Sequence, residues 1–143
     1  MTVKHNYSQE ERLLGALAHA SIVTGAIGPA VGLLIYLTQK ERSTYAARQS
    51  LQATLYQLVG LVVMIVAWSC WGFFYALTFI PIIANPDQYQ DAPPPIFWVG
   101  LGSMVIPFII MGLWGLYGIY GAIRVWAGTD FRYVFIGRLK VLN

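Results

Sequence analysis

Three long apolar stretches alternate with short polar stretches along this chain. No Lys, Arg, Asp or Glu occurs within residues 13–39, 49–86 or 92–123. A transmembrane helix needs about 20 consecutive apolar residues, so each stretch is long enough to cross a bilayer. The pattern therefore predicts an all-α fold, that of a polytopic helical membrane protein with three membrane segments. The predicted segments are residues 10–38, 50–80 and 96–126.

Composition supports lipid as the main solvent of this chain. Of its 143 residues, 57% are hydrophobic and 10% are charged, and the mean hydropathy is +0.60. A soluble domain carries roughly a quarter charged residues, so this chain has too little polar surface to cover itself in water. We expect a single transmembrane domain over residues 1–143, with an outer loop at 81–95 and a cytoplasmic tail at 127–143.

The first apolar stretch has a second interpretation, a cleavable signal peptide. Two observations oppose it. Glu10 and Glu11 interrupt what would be the basic leader region, and the apolar stretch exceeds the roughly 7–15 residues of a signal peptide. A retained membrane segment is the favoured interpretation.

Basic residues predict the orientation, because Lys and Arg are retained on the cytoplasmic side. The link between the first and second segments holds Lys40, Arg42 and Arg48, whereas the link between the second and third holds only Asp87 and Asp91. The tail after the third segment is basic again. We therefore expect a multi-pass protein of the bacterial cytoplasmic (inner) membrane with its C-terminus in the cytoplasm.

The first segment is predicted to break near Gly28 and Pro29. Proline removes a backbone donor and glycine lowers helix preference, so TGAIGPAVG interrupts the helix. At its start, Ser8 and Glu11 have the spacing of a capping box. A single kinked crossing is favoured over a re-entrant hairpin, and the side of the N-terminus stays open.

Two patterns suggest surfaces for helix packing. In the second segment, Arg48, Gln52 and Tyr56 share one helix face, either as an interfacial helix start or as a polar seam toward a partner. In the third, glycines recur every three residues and form a slanted groove, either for packing within the chain or for an oligomer. The predicted helix-packing or partner-interface residues are Gly28, Gly32, Gly112, Gly115, Gly118 and Gly121.

Residues suited to catalysis are scarce. The sequence contains two histidines and one cysteine, Cys70, which lies in an apolar stretch. His19 is the single titratable candidate within a membrane segment, either packed between helices or acting on a proton or ligand. We expect no enzyme activity, no catalytic or metal-binding residues, no cofactor and no nucleic-acid partner.

Four blocks of sequence carry a family resemblance. They are ERLLGALAHAS, GPAVGLLIYLTQKERS, ARQSLQ and YGIYGAIRVWAGTDFRYVFIGRL. Together they resemble a small bacterial membrane family of unknown function related to the twenty-kilodalton channel subunit of the chloroplast inner-envelope protein translocon. That family includes magnetosome membrane proteins linked to magnetite crystal growth. The chain departs from the family pattern where Ala46 or Ala47 replaces a histidine and where Val134 replaces a proline.

The resemblance draws attention to residues at the cytoplasmic edge and in the tail. The family-like positions are Glu11, Arg12, His19, Pro29, Arg48, Gln49, Arg124, Arg132, Tyr133 and Gly137. We expect Asp130 to serve a nearby arginine, and the tail to fold back with Phe131, Tyr133 and Phe135 in the membrane interface. The predicted cytoplasmic-face polar cluster is Arg48, Gln49, Gln52, Tyr56, Arg124, Asp130, Arg132 and Tyr133.

Two functional hypotheses follow. The first is a non-enzymatic accessory or assembly subunit that docks onto a larger membrane complex. The second is a homo-oligomeric channel or protein-translocation component, which needs several copies because three apolar helices do not enclose a polar path. The expected partners are the lipid bilayer and either another membrane protein or further copies of the chain. A role in mineral growth or membrane curvature is allowed by the resemblance, but no acidic cluster supports it.

Overall fold

A computed structural model of the chain describes residues 7–136. Within that range the secondary structure is helical and contains no strand, and three stretches are long and apolar enough to span a membrane. The predicted fold class is therefore confirmed. Gly137 and the rest of the tail beyond it lie outside the described residues. The helices are α1 (Gln9–Ala20), α2 (Gly28–Gln39), α3 (Thr44–Leu77), α4 (Ile80–Ala84), α5 (Pro95–Gly102) and α6 (Val105–Trp126), with 3-10 turns at Ser21–Ile27 and Pro86–Tyr89.

Helix α1 begins where its capping residues predict. The Glu11 backbone N–H donates to Ser8 Oγ at 3.2 Å, and the Ser8 N–H donates to Glu11 Oε2 at 2.7 Å. This reciprocal pair satisfies two backbone donors that the first helical turn leaves without partners.

The first apolar stretch folds as a helical hairpin rather than as a single kinked crossing. Ser43, which follows α2, donates to Glu11 Oε1 at the start of α1 with a distance of 2.6 Å. Ser21, at the end of α1, donates to the Gly28 carbonyl at the start of α2 over 3.1 Å. Because the far ends of the two helices meet as well as the near ends, α1 and α2 run antiparallel. The favoured single kinked helix was wrong, and the alternative of a hairpin describes this part of the chain.

The reversal is centred on Gly25, three residues before the predicted break. Gly25 has φ 63° and ψ −125°, which side chains with a Cβ rarely adopt. Pro29 lies in the first turn of α2, where its missing N–H has no helical partner to lose. Each arm of the hairpin has 12 residues, or about 18 Å of helix, which is shorter than the bilayer core of about 30 Å.

Unit 1 of the fold comprises residues 7–61 and 114–136. Within this unit, α1 packs antiparallel to the last turns of α6. A Cβ at Gly15 would lie 2.8 Å from Val125, and a Cβ at Gly118 would lie 2.6 Å from Ile22. The missing side chains let the two backbones approach closely, which is a main source of helix association in lipid.

The tail completes the core of unit 1. Phe131, Tyr133 and Ile136 are buried with Tyr45 and Val125, and Tyr45 donates its hydroxyl hydrogen to the carbonyl of Thr129 at 3.0 Å. The predicted fold-back occurs, but Phe131 and Tyr133 enter the core instead of an interface. Phe135 remains 88% exposed.

Unit 2 comprises residues 62–113 and is held together by aromatic side chains. Trp71 donates its indole N–H to the Gly100 carbonyl at 3.1 Å, and the ring of Trp68 meets that of Phe108 edge to face. A break between α5 and α6 lies just before Pro107. There Ser103 donates its hydroxyl to the Gly100 carbonyl at 2.7 Å.

Candidate functional site

His19 lies at the centre of a buried polar network in unit 1. Its side chain is inaccessible to solvent, near the end of α1. His19 Nδ1 is 2.8 Å from the hydroxyl of Tyr133, and His19 Nε2 is 3.2 Å from Gln49 Oε1. The network therefore joins α1, α3 and the tail, which are far apart in sequence.

The Gln49 amide determines the direction of these hydrogen bonds. Its Nε2 group donates to Asp130 Oδ1 at 3.0 Å and to the Phe131 carbonyl at 3.1 Å, so its Oε1 atom faces His19 as an acceptor. His19 Nε2 must then carry a hydrogen and donate to Gln49. Nδ1 is left as an acceptor for the Tyr133 hydroxyl, and His19 is a neutral imidazole in this arrangement.

Asp130 connects the buried part of the network to the surface. Its carboxylate pairs with the Arg48 guanidinium and, at 3.3 Å, with that of Arg132. The Asp130 side chain is 28% exposed. Two guanidinium groups therefore flank the one carboxylate that accepts from Gln49.

Tyr133 is held by both stacking and hydrogen bonding. Its ring lies parallel to that of Tyr56 with a centroid separation of 3.9 Å, and its backbone N–H donates to Gln52 Oε1 at 3.4 Å. Burial raises the pKa of the Tyr133 phenol above its ordinary value, as the phenols of Tyr56 and Tyr117 do to a smaller extent. The hydroxyl therefore stays protonated and available as a donor to His19.

Tyr56 and Gln52, two further members of the predicted polar cluster, contact Tyr133 but not His19. Tyr56 donates its hydroxyl to the Trp114 carbonyl at 2.8 Å. Gln52 is fully buried, and its Nε2 atom has no hydrogen-bond partner among the described residues.

Arg124 is the predicted cluster residue that the structure leaves outside. Its guanidinium lies 6.0 Å from the ring centroid of Tyr120, while its carbonyl accepts from the Thr129 N–H at 3.1 Å. Of the remaining members, five contact either Asp130 or Tyr133: Arg48, Gln49, Gln52, Tyr56 and Arg132.

The six predicted packing glycines occupy different environments. Gly28 and Gly32 face α3. A Cβ at Gly28 would overlap the side chain of Gln57, and a Cβ at Gly32 would lie 2.5 Å from Thr54 Oγ1. Gly118 faces Ile22, and Gly121 faces Phe131 and His19. Gly112 and Gly115 have no heavy atom within 4 Å of the position that a Cβ would take, outside their own helix backbone.

One important contact was not predicted. Gln57 Nε2 donates to the Ala18 carbonyl at 2.9 Å and to Ser21 Oγ at 3.2 Å, which supplies donors to the end of α1. The available signal was an amide inside an apolar stretch, since such a group in lipid requires a partner. The identity of that partner depended on the hairpin.

The geometry favours a structural role for this network. His19 holds Tyr133, and Gln49 holds Phe131 through its backbone carbonyl, so both tail residues are fixed against the helices. Each polar bond of the network described above lies within unit 1. Among residues 7–136, no three His, Cys, Asp or Glu side chains are grouped so that they could hold a metal ion. The arrangement can fix the position of the tail through directed hydrogen bonds.

Comparison with known proteins supplies one match. A family model described as the magnetosome magnetite crystal formation protein family matches residues 10–140. No curated protein and no solved structure matches the chain.

Proposed function

The chain belongs to the magnetosome magnetite crystal formation protein family, and we propose that it is a non-enzymatic accessory or assembly protein that docks onto a larger membrane complex. In this proposal the complex resides in the membrane around a growing crystal, as the description of the family suggests. The translocon resemblance of the sequence blocks supports the same kind of role, a small helical subunit beside larger membrane proteins.

The observation that carries the proposal is the contrast between the network and the open part of α6. The polar side chains of the network bond to one another, so they support a fixed tail rather than a reaction. Gly112 and Gly115, by contrast, are open, and Met111, Leu113 and Leu116 beside them are exposed. Small residues among exposed apolar ones favour close approach of a second membrane helix.

Charge supports a cytoplasmic position for the network. Arg12 lies beside Gly128, and Asp130 binds Arg48 and Arg132, so three arginines gather at one end of unit 1. Positive charge concentrates on the cytoplasmic side of bacterial inner-membrane proteins. With the hairpin, both chain ends would face the cytoplasm and two helical segments would cross completely.

This orientation is testable by cysteine labelling. In a Cys70→Ser background, single cysteines at Glu10 and Glu41 should react with a membrane-impermeant maleimide only after the cells are opened. A cysteine at Gln88 should stay unlabelled in the opened cells until detergent permeabilises the membrane around the crystal. Labelling of Glu10 and Glu41 from opposite sides would contradict the proposed orientation.

A homo-oligomeric channel or translocation component is the second candidate. The open glycines also favour it, because the second helix could come from another copy of the chain. Purification in a mild detergent, native mass measurement and identification of every bound chain separate the two candidates. A fixed ratio to larger subunits supports the accessory role, and a ring of this chain alone supports the channel.

Matched variants show whether the open part of α6 forms the contact. Gly115→Leu should lower the recovery of partner subunits without reducing the level of folded protein. Gly72→Leu is the control, since Gly72 also has open space around its Cβ position but lies on α3. Equal recovery from Gly115→Leu and wild type would refute docking through this part of α6.

A further inference from the structure

An apolar groove runs between α1 and the end of α6 in unit 1. Its walls include Leu13, Leu17 and Ala20 from α1 and Ala122, Ile123 and Trp126 from α6, and its volume is about 280 Å³. That volume is near the lower end of the roughly 300–1,000 Å³ typical of ligand pockets. The lining offers nothing for a polar ligand to bind, so it suits a hydrocarbon chain.

A positively charged recess adjoins one end of this groove. Trp126 borders both spaces, and the recess of about 90 Å³ is also lined by Gln9 and Arg12. Gly128, with φ 79°, lies against Arg12: a Cβ there would be 3.2 Å from Arg12 Cδ. The glycine thus provides the turn and the space in which the stem of the arginine lies.

The Arg12 guanidinium has hydrogen-bonding capacity left over. Arg12 Nε is buried and has no hydrogen-bond partner in the described part of the chain. The ion pairs formed within residues 7–136 are Lys40 with Glu41, and Asp130 with Arg48 and Arg132. The adjacent Glu11 carboxylate accepts from Ser8 and Ser43 instead. A buried guanidinium donor of this kind requires an acceptor, and phosphate oxygens match its geometry.

We propose that the groove and the recess form one binding site for an anionic phospholipid. One acyl chain lies in the groove between α1 and α6, and the phosphate accepts hydrogen bonds from Arg12, with the Gln9 amide as a second donor. A zwitterionic lipid carries its own cation beside the phosphate, so Arg12 gives the site its preference for a net negative headgroup. The site is independent of the proposed docking function.

The test compares lipid binding by the full chain in detergent micelles. Native mass spectrometry counts retained phosphatidylglycerol or phosphatidylcholine with matched acyl chains. Wild type should prefer phosphatidylglycerol, and Arg12→Gln should reduce that preference roughly fivefold, the effect of one arginine near a membrane surface. Arg42→Gln removes an equal charge from the exposed link after α2 and should leave the preference unchanged.

A second pair of variants tests the groove itself. Ala20→Phe places a ring where the acyl chain would lie and should abolish retention of either lipid. Ala30→Phe is the matched control, because Ala30 is exposed on α2 and does not line the groove. Retention of lipid by Ala20→Phe, or an unchanged preference in folded Arg12→Gln, would overturn the proposal.

Two further measurements address other ligands and loss of folding. Inorganic phosphate alone should not displace the lipid, and displacement would identify a site for free phosphate instead. If Arg12→Gln is unfolded by circular dichroism, a photoactivatable phosphatidylglycerol analogue on wild type decides the question. Crosslinks to the peptides that carry Leu17 and Trp126 support the site, and crosslinks confined to other peptides refute it.

Discussion

Replacing Tyr133 with phenylalanine isolates the hydrogen bond at the centre of the network. The substitution removes the hydroxyl 2.8 Å from His19 Nδ1 but keeps the ring that stacks on Tyr56. His19 is fully buried, so its acceptor nitrogen would lose its donor without gaining water. Leaving a buried polar group without a partner costs about 1–3 kcal/mol. We expect the free energy of unfolding to fall by that amount.

Titration of the detergent-solubilised protein with sodium dodecyl sulfate measures this loss. Tryptophan fluorescence is a suitable signal, because Trp114 stacks on Tyr56 beside Tyr133 with a centroid separation of 4.7 Å. Tyr133→Ala removes the buried ring as well and should lower the free energy of unfolding further, by about 3–5 kcal/mol in total. The difference between the two variants gives the contribution of the ring.

Tyr120→Phe is the matched control, because Tyr120 is 48% exposed. Its effect should stay within about 0.5 kcal/mol. If Tyr133→Phe is no more destabilising than Tyr120→Phe, the tail is not held by His19 and the structural role of the network is refuted.

Four other variants or conditions test the same architecture. Gly60→Ala should lower the unfolding free energy by about 1–3 kcal/mol, because its Cβ would overlap the half-buried indole of Trp114. Gly72→Ala, in open space, should gain no more than about 1 kcal/mol, and equal effects of the two substitutions would contradict this packing. Truncation after Gly128 removes the tail from the core and should reduce membrane accumulation in an immunoblot, and unchanged levels would count against a structural tail. Asp130→Asn should lower the free energy of unfolding by no more than about 1 kcal/mol in a denaturant titration, because the ion pairs of Asp130 are partly exposed. The loss should be smaller at high salt, and a loss above about 3 kcal/mol would indicate a buried charge instead. Burial raises the pKa of the Tyr133 phenol in the folded state, so its contribution to stability should be complete below about pH 10 and decline as the pH rises further. This loss of stability at alkaline pH should be smaller in Tyr133→Phe. Identical pH profiles of the two proteins would exclude Tyr133 as the source of the loss.

Local features of the fold were predictable because their causes lie close together in the sequence. The capping box joins Ser8 and Glu11, which are three residues apart, and the charge-free stretches are continuous. The association of Asp130 with a nearby arginine also followed from proximity. Arg132 is two residues away, although Arg48 is 82 residues distant.

The direction of the first segment was not predictable on the same grounds. A glycine-rich interruption allows either a kink or a reversal, because it removes helix preference without favouring one new direction. The reversal is stabilised by Gln57, which donates to Ala18 and Ser21, and by Ser43, which donates to Glu11. These partners come from outside the interrupted stretch.

Sequence pattern alone established the helical class, the three apolar stretches and the start of α1. These follow from hydrophobic pattern and local hydrogen bonding. Three features emerged only in the folded chain: the first stretch is a hairpin, His19 meets Tyr133 across 114 residues, and Gly118 is packed whereas Gly115 is open. The physical reason is that lipid gives an apolar helix no preferred face, so close packing and the pairing of buried polar groups select its neighbours.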